Sequence, residues 1–294
     1  MLQKFSVNVN ICAKFLRGVV DVLKFFMSLL IVVLIIFPLT ACAKSQALQI
    51  DGDHGKLSAI LQTPDDKSPY PLVIICHGFT GNKNENLLTT LADKLETAGI
   101  ASIRFDFNGH GESEGNFQDM TVLNEISDAI KVYNYTANLP QVTSISFAGH
   151  SQGGVVASMA AGQLGTSKVK ALALMAPAAV LRDDAIRGQA FGVTYDSLNP
   201  PDSVEIFNGL KIGRNYILTA QTLPIYETAE KYQGSALMVH GTGDIVVPYT
   251  YSLRYQKIYP NSKVELLPKF DHGFNQDIDK ATQIVADYFA AQLK

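Results

Sequence analysis

The sequence predicts an α/β fold in which a mostly parallel central sheet is flanked by helices. Continuous apolar runs at 71–76, 169–177 and 235–240 have the composition of strands that are buried on both faces of a parallel sheet. Segments with the helical spacing of Leu, Ile and Val separate these runs, and this alternation is typical of βαβ units. A chain of 294 residues is long enough for one large domain of this kind.

In the first half of the chain, the sequence predicts strands and helices in a regular order. Residues 47–62 have the pattern of a hairpin around a turn at 51–55, and the buried strand 71–76 follows. A helix is expected over 85–98 and a strand over 100–107. A second helix should start near Met120 and lead to the strand that ends at Gly149.

The second half is interrupted by a segment without strand patterns. Between residues 180 and 230, turn residues separate short mixed segments, which predicts a small cap inserted after the sixth strand rather than a second domain. The sheet pattern resumes at 235–240. A helix is predicted to start at Val246-Val247-Pro248 and end at Tyr259, with the last strand over 263–267 and the last helix over 276–292.

The motif Gly149-His150-Ser151-Gln152-Gly153 lies between a predicted strand and a predicted helix. A turn this tight admits only small residues two positions before and after the serine, and glycine occupies both positions. The serine hydroxyl would stand above the strand ends, at a helix N-terminus that favours developing negative charge. In this context the motif predicts Ser151 to be a nucleophile.

An acid and a base follow later in the chain, each after a predicted strand. Asp244 and His272 complete the order Ser, Asp, His, one of three chain orders in which such triads occur. His240 is an alternative base, but it lies within or at the end of a strand and before the acid. Asp271 is an alternative acid, disfavoured because side chains of adjacent residues point apart. The prediction is therefore Ser151, Asp244 and His272.

The segment His77-Gly78-Phe79-Thr80-Gly81 follows the first buried strand. The backbone N–H groups of Phe79 and Gln152 are predicted to bind the oxyanion of an acyl-transfer reaction. Asp106 and His110 form another pair of an acid and a histidine after the next strand. They are interpreted as polar side chains that hold a turn beneath the site.

Composition excludes several other classes of function. The net charge of −3 leaves no basic surface for nucleic acid. Cys12, Cys42 and Cys76 are far apart without C-x-x-C spacing, so neither a disulfide framework nor a zinc site is supported. The six histidines also lack ligand spacing, and no metal or organic cofactor is implied. The sequence does not decide between a monomer and a homodimer.

The N-terminus has the parts of a secretory signal. Residues 1–24 contain four basic residues and one acid. The apolar run 25–37 follows, and after it comes a short segment with small residues, as at a signal-peptide cleavage site. Leu39-Thr40-Ala41-Cys42 resembles a bacterial lipobox, which implies lipidation of Cys42 and a lipoprotein held on the membrane outside the cytoplasm. An uncleaved anchor over the uncharged residues 25–43 and simple secretion are the alternatives. The predicted organisation is a signal peptide at 1–41, a tether at 42–46 and the enzyme domain at 47–294.

Together these motifs resemble the α/β-hydrolase superfamily over residues 47–294, and within it the bacterial cinnamoyl (feruloyl) esterases. The closer resemblance lies in residues 77–81, 104–111, 149–159 and 223–227. It implies an α/β-hydrolase fold and a serine esterase without cofactors. The implied partner is a small-molecule ester, such as a hydroxycinnamate ester of a sugar or of quinate.

The same resemblance implies that an acid and a tyrosine of the cap meet the phenolic hydroxyl of the substrate. Asp184 and Tyr216 stand at the equivalent positions, and Asp183 is an adjacent competitor. A glutamine of that family is replaced by Phe191, with Gln189 close by, which leaves the ring specificity open. A general carboxylesterase, lipase-like or peptidase activity is the alternative, followed by a non-catalytic surface lipoprotein with this fold.

Overall fold

The computed structural model describes residues 44–64 and 69–293 of the chain. The predicted signal peptide, the lipobox with Cys42 and the start of the tether lie outside these residues. Within the described part, no helix is long and apolar enough to cross a membrane. The described residues belong to one compact unit.

The described residues form twelve strands and eight α-helices. The strands are β1 (Lys44–Asp51), β2 (Lys56–Thr63), β3 (Tyr70–Cys76), β4 (Ala101–Phe105), β5 (Val142–His150), β6 (Val169–Met175), β7 (Gln189–Ala190), β8 (Val193–Thr194), β9 (Ser203–Glu205), β10 (Lys211–Gly213), β11 (Ser235–Gly241) and β12 (Asn261–Leu267). The helices are α1 (Asn86–Thr97), α2 (Val122–Ala137), α3 (Gln152–Leu164), α4 (Val180–Arg187), α5 (Arg214–Gln221), α6 (Ile225–Ala229), α7 (Thr250–Ile258) and α8 (Ile278–Gln292).

Eight of these strands form one sheet in the order β1-β2-β4-β3-β5-β6-β11-β12. The pairs that β2 makes with β1 and β4 are antiparallel, and every pair from β4 to β12 is parallel. This arrangement confirms the predicted fold class. The carboxyl ends of the parallel strands meet at one edge, where ligands bind in sheets of this kind.

The apolar runs are continuous because the parallel strands are buried on both faces. In β3, Leu72, Ile74 and Cys76 belong to the core cluster that contains buried residues of α2 and α3. Val73 and Ile75 belong to a second cluster, which contains buried residues of α1 and α8. The period of two in a strand thus assigns alternate side chains to two helical layers.

The helix boundary that differs most from the prediction is the start of α7. The helix expected from Val246 begins at Thr250 instead. The reason is local, because the backbone N–H groups of Val246 and Val247 both donate to Oδ1 of Asp244, each at 2.8 Å. An aspartate that takes these two donors holds the segment in a turn rather than in a helix.

The insertion after the sixth strand is present, as predicted. Residues 180–230, called the cap segment below, contain α4, α5 and α6 and two short hairpins, β7–β8 and β9–β10. Apolar side chains of the cap segment, Ile212, Ile217 and Ile225 among them, belong to the same core cluster as α3. The cap segment therefore packs as part of the domain core.

Candidate active site

Ser151 lies in the turn between β5 and α3 with φ 55° and ψ −122°. A Cβ atom at Gly149 would lie 2.1 Å from the carbonyl oxygen of Gly153, and one at Gly153 would lie 2.2 Å from that of His77. Both positions therefore require glycine. The Ser151 N–H donates to the Met175 carbonyl at 2.9 Å, which ties the turn to the neighbouring strand. The positive φ of a serine is strain of the kind stored at functional sites.

The three residues predicted as nucleophile, base and acid lie in one hydrogen-bonded row. Ser151 Oγ is 2.8 Å from His272 Nε2, and His272 Nδ1 is 2.7 Å from Asp244 Oδ2. The Asp244 side chain is fully buried and that of His272 is 18% exposed. With its proton on Nδ1, the imidazole can accept the serine proton at Nε2, the chemistry that activates a hydroxyl nucleophile.

The surroundings of Asp244 keep its carboxylate ionised. Burial by itself would raise the pKa of Asp244, but hydrogen bonds from His240, His272 and the Val247 N–H hold that pKa far below its usual range. Every hydrogen bond that this carboxylate accepts favours the charged form. The residue can therefore act as an acceptor for His272 throughout the physiological pH range.

The two alternative residues lie elsewhere in the network. His240 is completely buried; its Nδ1 lies 2.7 Å from Ser252 Oγ and its Nε2 lies 3.1 Å from Asp244 Oδ2. His240 thus flanks the acid and has no contact with Ser151. Asp271 accepts hydrogen bonds from the backbone and side chain of Asn275, so it stabilises its own turn.

The loop after β3 passes directly beside the serine. A Cβ atom at Gly78 would lie 3.0 Å from Ser151 Cβ, and the loop closes through a hydrogen bond from the Gly81 N–H to the Gly78 carbonyl at 2.9 Å. Within residues 44–64 and 69–293, no protein acceptor takes the backbone N–H of Phe79 or Gln152. Two free N–H groups next to a nucleophile can bind a developing oxyanion.

Two histidines that the sequence did not single out position these loops. His150 Nε2 donates to the backbone carbonyl of His272 at 2.9 Å, and His77 bridges Gly78 and Phe107 at 2.7 and 3.1 Å. Burial lowers the pKa of His77 to about 3, and burial together with His272 lowers the pKa of His150 to about 4. Both rings are therefore neutral at physiological pH.

Asp106 and His110 lie in the turn after β4. Asp106 Oδ2 forms a buried ion pair with Lys83 Nζ at 2.7 Å and accepts the Glu112 N–H at 2.9 Å. His110 is buried against the rings of His77 and Phe117. Lys83 was not predicted, because nothing in its local sequence shows that its partner is 23 residues away.

A cavity of about 580 Å³ opens above Ser151, between the strand ends and the cap segment. One of its walls is aromatic. Phe191 stacks on Phe79 with ring centroids 4.4 Å apart, and Phe207 meets the edge of Phe191 at 5.3 Å. Phe191 lies at the tip of the β7–β8 hairpin with φ 50°, a conformation that strains a bulky residue.

Of the two adjacent acids in α4, Asp184 lines the cavity. Its Oδ1 lies 2.6 Å from Arg187 Nη2. Asp183 instead accepts the Tyr251 hydroxyl at 2.6 Å and pairs with Arg254 at 3.5 Å. The helix therefore presents one of the two carboxylates to the cavity.

Tyr216 also lines the cavity, and it is linked to a buried acid. Its hydroxyl donates to Gln152 Oε1 at 2.7 Å, and Gln152 Nε2 donates to Glu125 Oε2 at 2.9 Å. Burial raises the pKa of Glu125 to about 8, although the hydrogen bond from Gln152 opposes this shift. Glu125 was not predicted as a site residue, because its position in α2 gives no signal of the contact with Gln152.

The described residues contain no group of three or more His, Cys, Asp or Glu side chains that could hold a metal ion. Cys76 is buried in β3, and burial raises the pKa of its thiol. Its position agrees with the role of a small core residue.

Comparison with known proteins places the chain among hydrolases. The profile of the family described as Hydrolase_4, "Serine aminopeptidase, S33", matches residues 67–195. Among solved structures, Est1E from Butyrivibrio proteoclasticus with bound ferulic acid is 35% identical with a TM-score of 0.81, and the match covers 84% of this chain and 99% of that one. A second structure of Est1E is 33% identical with a TM-score of 0.77.

Curated relatives match over shorter segments or with lower sequence identity. An uncharacterised 31.7 kDa protein of Escherichia coli from the traX-finO intergenic region is 35% identical over 79 residues, which is 27% of either chain. The lysophosphatidylserine lipase ABHD12 of Danio rerio is 26% identical over 239 residues, covering 76% of this chain and 59% of that protein. The chain thus spans about a quarter of the first of these relatives and just over half of the second.

Proposed function

The chain belongs to the α/β-hydrolase superfamily, and we propose that it is a serine esterase that hydrolyses hydroxycinnamoyl esters through an acyl-enzyme intermediate. The observation that carries the proposal is the hydrogen-bonded row from Ser151 through His272 to Asp244, next to an aromatic-walled cavity. The choice of acyl group is supported by 35% identity to a protein whose solved structure holds ferulic acid.

In the first step, Ser151 Oγ attacks the ester carbonyl while His272 Nε2 takes the hydroxyl proton. Asp244 holds the imidazole in the required tautomer and stabilises the cation that forms. The N–H groups of Phe79 and Gln152 receive the negative charge on the carbonyl oxygen; each such donor typically contributes about 2.7–4 kcal/mol to catalysis. His272 then gives the proton to the leaving alcohol as the ester bond breaks.

In the second step, a water molecule takes the place of the alcohol. His272 accepts one of its protons while the hydroxide attacks the acyl-enzyme carbonyl, and the proton returns to Ser151 Oγ as the carboxylic acid leaves. Every proton moves between the substrate, water and these side chains. The reaction therefore needs no cofactor.

The cavity lining supports an aromatic acyl group. The stacked rings of Phe79 and Phe191 offer a flat apolar surface, while Asp184 and Tyr216 offer polar atoms for a ring substituent. Aromatic pairs stabilise a complex beyond the apolar area that they bury. The proposed substrates are hydroxycinnamate esters of small alcohols, such as sugars or quinate.

A lipase-like activity is a second candidate, favoured by the apolar side chains at the cavity mouth. Ile245 is 96% exposed and Val246 is 51% exposed, although both line the cavity. Exposed apolar residues grouped at one opening are typical of a surface that meets an apolar ligand. Such a rim would suit a long acyl chain as well as a ring.

The two candidates are separated by comparing kcat/KM for methyl ferulate, methyl cinnamate and p-nitrophenyl butyrate. A clear preference for the cinnamate esters is expected, and S151A should abolish both turnover and labelling by a fluorophosphonate probe. Faster hydrolysis of the butyrate ester, or of long-chain acyl esters, would favour the lipase-like candidate. Probe labelling that persists in S151A would contradict the assignment of the nucleophile.

We also propose that the protein is a lipoprotein anchored through Cys42 outside the cytoplasm. The proposal is supported by the basic, apolar and lipobox segments of the N-terminal sequence. Two or more acyl chains give durable attachment, since each buried CH₂ contributes about 0.8 kcal/mol. Cys42→Ser should leave an uncleaved, unlipidated precursor on intact-mass analysis. Masses that differ only by the exchange of one sulfur for one oxygen, with no lipid on either protein, would refute lipidation.

A further inference from the structure

The side-chain amide of Gln152 has a defined orientation in this site. Its Nε2 faces Glu125 Oε2 at 2.9 Å and Met120 Sδ at 3.7 Å. A carboxyl oxygen and a thioether both accept hydrogen bonds, so the donor end of the amide points toward these two residues. The acceptor end, Oε1, consequently faces Tyr216.

This orientation determines what the Tyr216 hydroxyl can offer to a ligand. A phenol has one proton and two lone pairs, and the Tyr216 proton is donated to Gln152 Oε1 at 2.7 Å. Burial, and to a smaller extent the neighbouring Glu125, raise the pKa of Tyr216, so the proton stays in place. The hydroxyl can therefore act only as an acceptor toward the cavity.

Two neighbouring side chains, those of Asp184 and Tyr195, have the same character. Asp184 lines the cavity as a carboxylate, and a carboxylate only accepts hydrogen bonds. The Tyr195 hydroxyl, also on the cavity lining, donates toward the Gln189 carbonyl at 3.4 Å. Asp184, Tyr195 and Tyr216 all lie on the lining of this one cavity.

We propose that Glu125 is a positioning residue that sets the hydrogen-bond polarity of the cavity. Glu125 holds the Gln152 amide in one orientation, and the Tyr216 hydroxyl then acts as an acceptor toward the cavity. Tyr216 and Asp184 are thus two acceptors, and together they select acyl groups that carry a hydroxyl donor. This inference rests on the proposed esterase function. It predicts that a ring with a free phenol is preferred over the same ring with a methoxy group, which can only accept.

The proposed role does not depend on the protonation state of Glu125. Its Oε1 is buried and has no partner in the described part of the chain. A proton on Oε1 would leave Oε2 as a carbonyl oxygen, which still accepts from Gln152. Met120 Sδ supports the same orientation in either state.

The test compares methyl 4-hydroxycinnamate with methyl 4-methoxycinnamate, using methyl cinnamate as the reference ester. In E125Q the new amide can donate to Gln152, so Gln152 can turn and Tyr216 can donate to a methoxy oxygen. The hydroxy-to-methoxy ratio of kcat/KM should fall about tenfold, the effect of one hydrogen bond of ordinary strength. Y216F should lower the ratio similarly, and the double variant should lower it no further than Y216F alone.

D128N is the matched control, since Asp128 is a second buried acid of α2 and accepts hydrogen bonds from the backbone N–H groups of Asp53 and Asn108 instead of from Gln152. It should keep the native ratio. Fluorophosphonate titration counts active sites in every variant. If E125Q does not fold, M120L, which removes the thioether acceptor, should shift the ratio in the same direction by a smaller factor.

The outcomes separate this inference from the proposed function. A native preference for the hydroxy ester that E125Q and M120L both retain would overturn the role of Glu125 and leave the esterase proposal intact. Hydrolysis of cinnamate esters without a native preference for the free phenol would overturn the polarity argument in the same way. Failure of the native protein to favour any cinnamate ester over p-nitrophenyl butyrate would overturn the proposed substrate class, and this inference with it.

Discussion

At the scale of single residues, the site depends on the hydrogen bonds that hold Asp244 and His272 in place. Asp244 takes four hydrogen bonds, from His240, His272 and the N–H groups of Val246 and Val247. His272 is fixed through its ring by Asp244 and through its carbonyl by His150. Catalytic geometry is sensitive to such supports, because a misplacement of about 1 Å can reduce the rate about 100-fold.

The contact between His150 and the His272 carbonyl gives a prediction for catalysis. His150→Leu should lower kcat on methyl ferulate by about 10- to 100-fold with little change in KM, because the loop that carries His272 loses its anchor. His150→Gln keeps a donor near the same carbonyl and should retain most of the activity. Equal losses of kcat in the two variants would show that the hydrogen bond has no positioning role.

The raised pKa of Glu125 gives a prediction for stability. The folded protein keeps this proton up to a pKa of about 8, whereas the unfolded chain releases it near 4.5. The contribution of this proton to folding is complete below pH 4.5 and is lost as the pH rises through 8. For a single proton the loss amounts to about 1.4 kcal/mol per pH unit at most.

Glu125→Gln carries no titrating proton, so its free energy of unfolding should fall less than that of the native protein between pH 5 and pH 8. Urea unfolding at the two pH values measures the difference. Glu205→Gln, which changes an exposed glutamate, should follow the native protein. Parallel pH profiles for the native protein and E125Q would contradict the assignment of a buried protonated carboxyl.

At the scale of elements, two tight turns bring strained residues to the cavity. The elbow after β5 holds Ser151 at φ 55°, and the hairpin of β7 and β8 holds Phe191 at φ 50°. Strain of this kind persists only where the surrounding structure compensates for it. In the hairpin, the compensation comes from stacking of the Phe191 ring on Phe79.

Phe191→Asn should separate stability from activity. Asn tolerates the left-handed conformation, so relief of about 1–2 kcal/mol of backbone strain should offset the lost ring contacts. The free energy of unfolding in urea should stay within about 1 kcal/mol of the native value, while kcat/KM for methyl ferulate should fall at least about tenfold. Leu198→Asn, at a fully solvated position of the cap segment, should change neither quantity. Full activity of F191N would show that the Phe191 ring does not contribute to substrate binding.

At the scale of the whole molecule, the cap segment and the sheet share one hydrophobic core. Ile217 and Ile225 of the cap segment are completely buried in the cluster that contains Val155 and Val156 of α3. The polar link from Tyr216 to Gln152 joins the same two parts. A shared core of this kind predicts that the two parts unfold together.

A tryptophan placed in the cap segment tests this cooperativity, because the chain has no native Trp. In Phe207→Trp, the fluorescence of the new residue reports on the cap segment, and far-UV circular dichroism reports on the whole domain. Both signals should give the same midpoint in urea. A fluorescence transition that clearly precedes the loss of helicity would show that the cap segment is an independent unit.

The fold and the proximity of Ser151, Asp244 and His272 were predictable because their signals are local in the chain. Continuous apolar runs identify buried parallel strands such as β3, and the spacing of Gly149, Ser151 and Gly153 reflects steric limits within one turn. Asp244 and His272 were predicted because each follows a strand, and strand ends of a parallel sheet meet at one edge. These features were decided by the sequence itself.

Other features were decided only by the tertiary structure. The buried pair of Lys83 and Asp106 and the link from Glu125 to Gln152 join residues that are 23 and 27 positions apart, on elements whose relative placement depends on packing. The choice of Asp184 over Asp183 at the cavity depends on the rotation of α4 against Tyr251. The physical reason is the same in each case: hydrogen bonds and burial depend on the distance between side chains in space, which no local pattern of residues encodes.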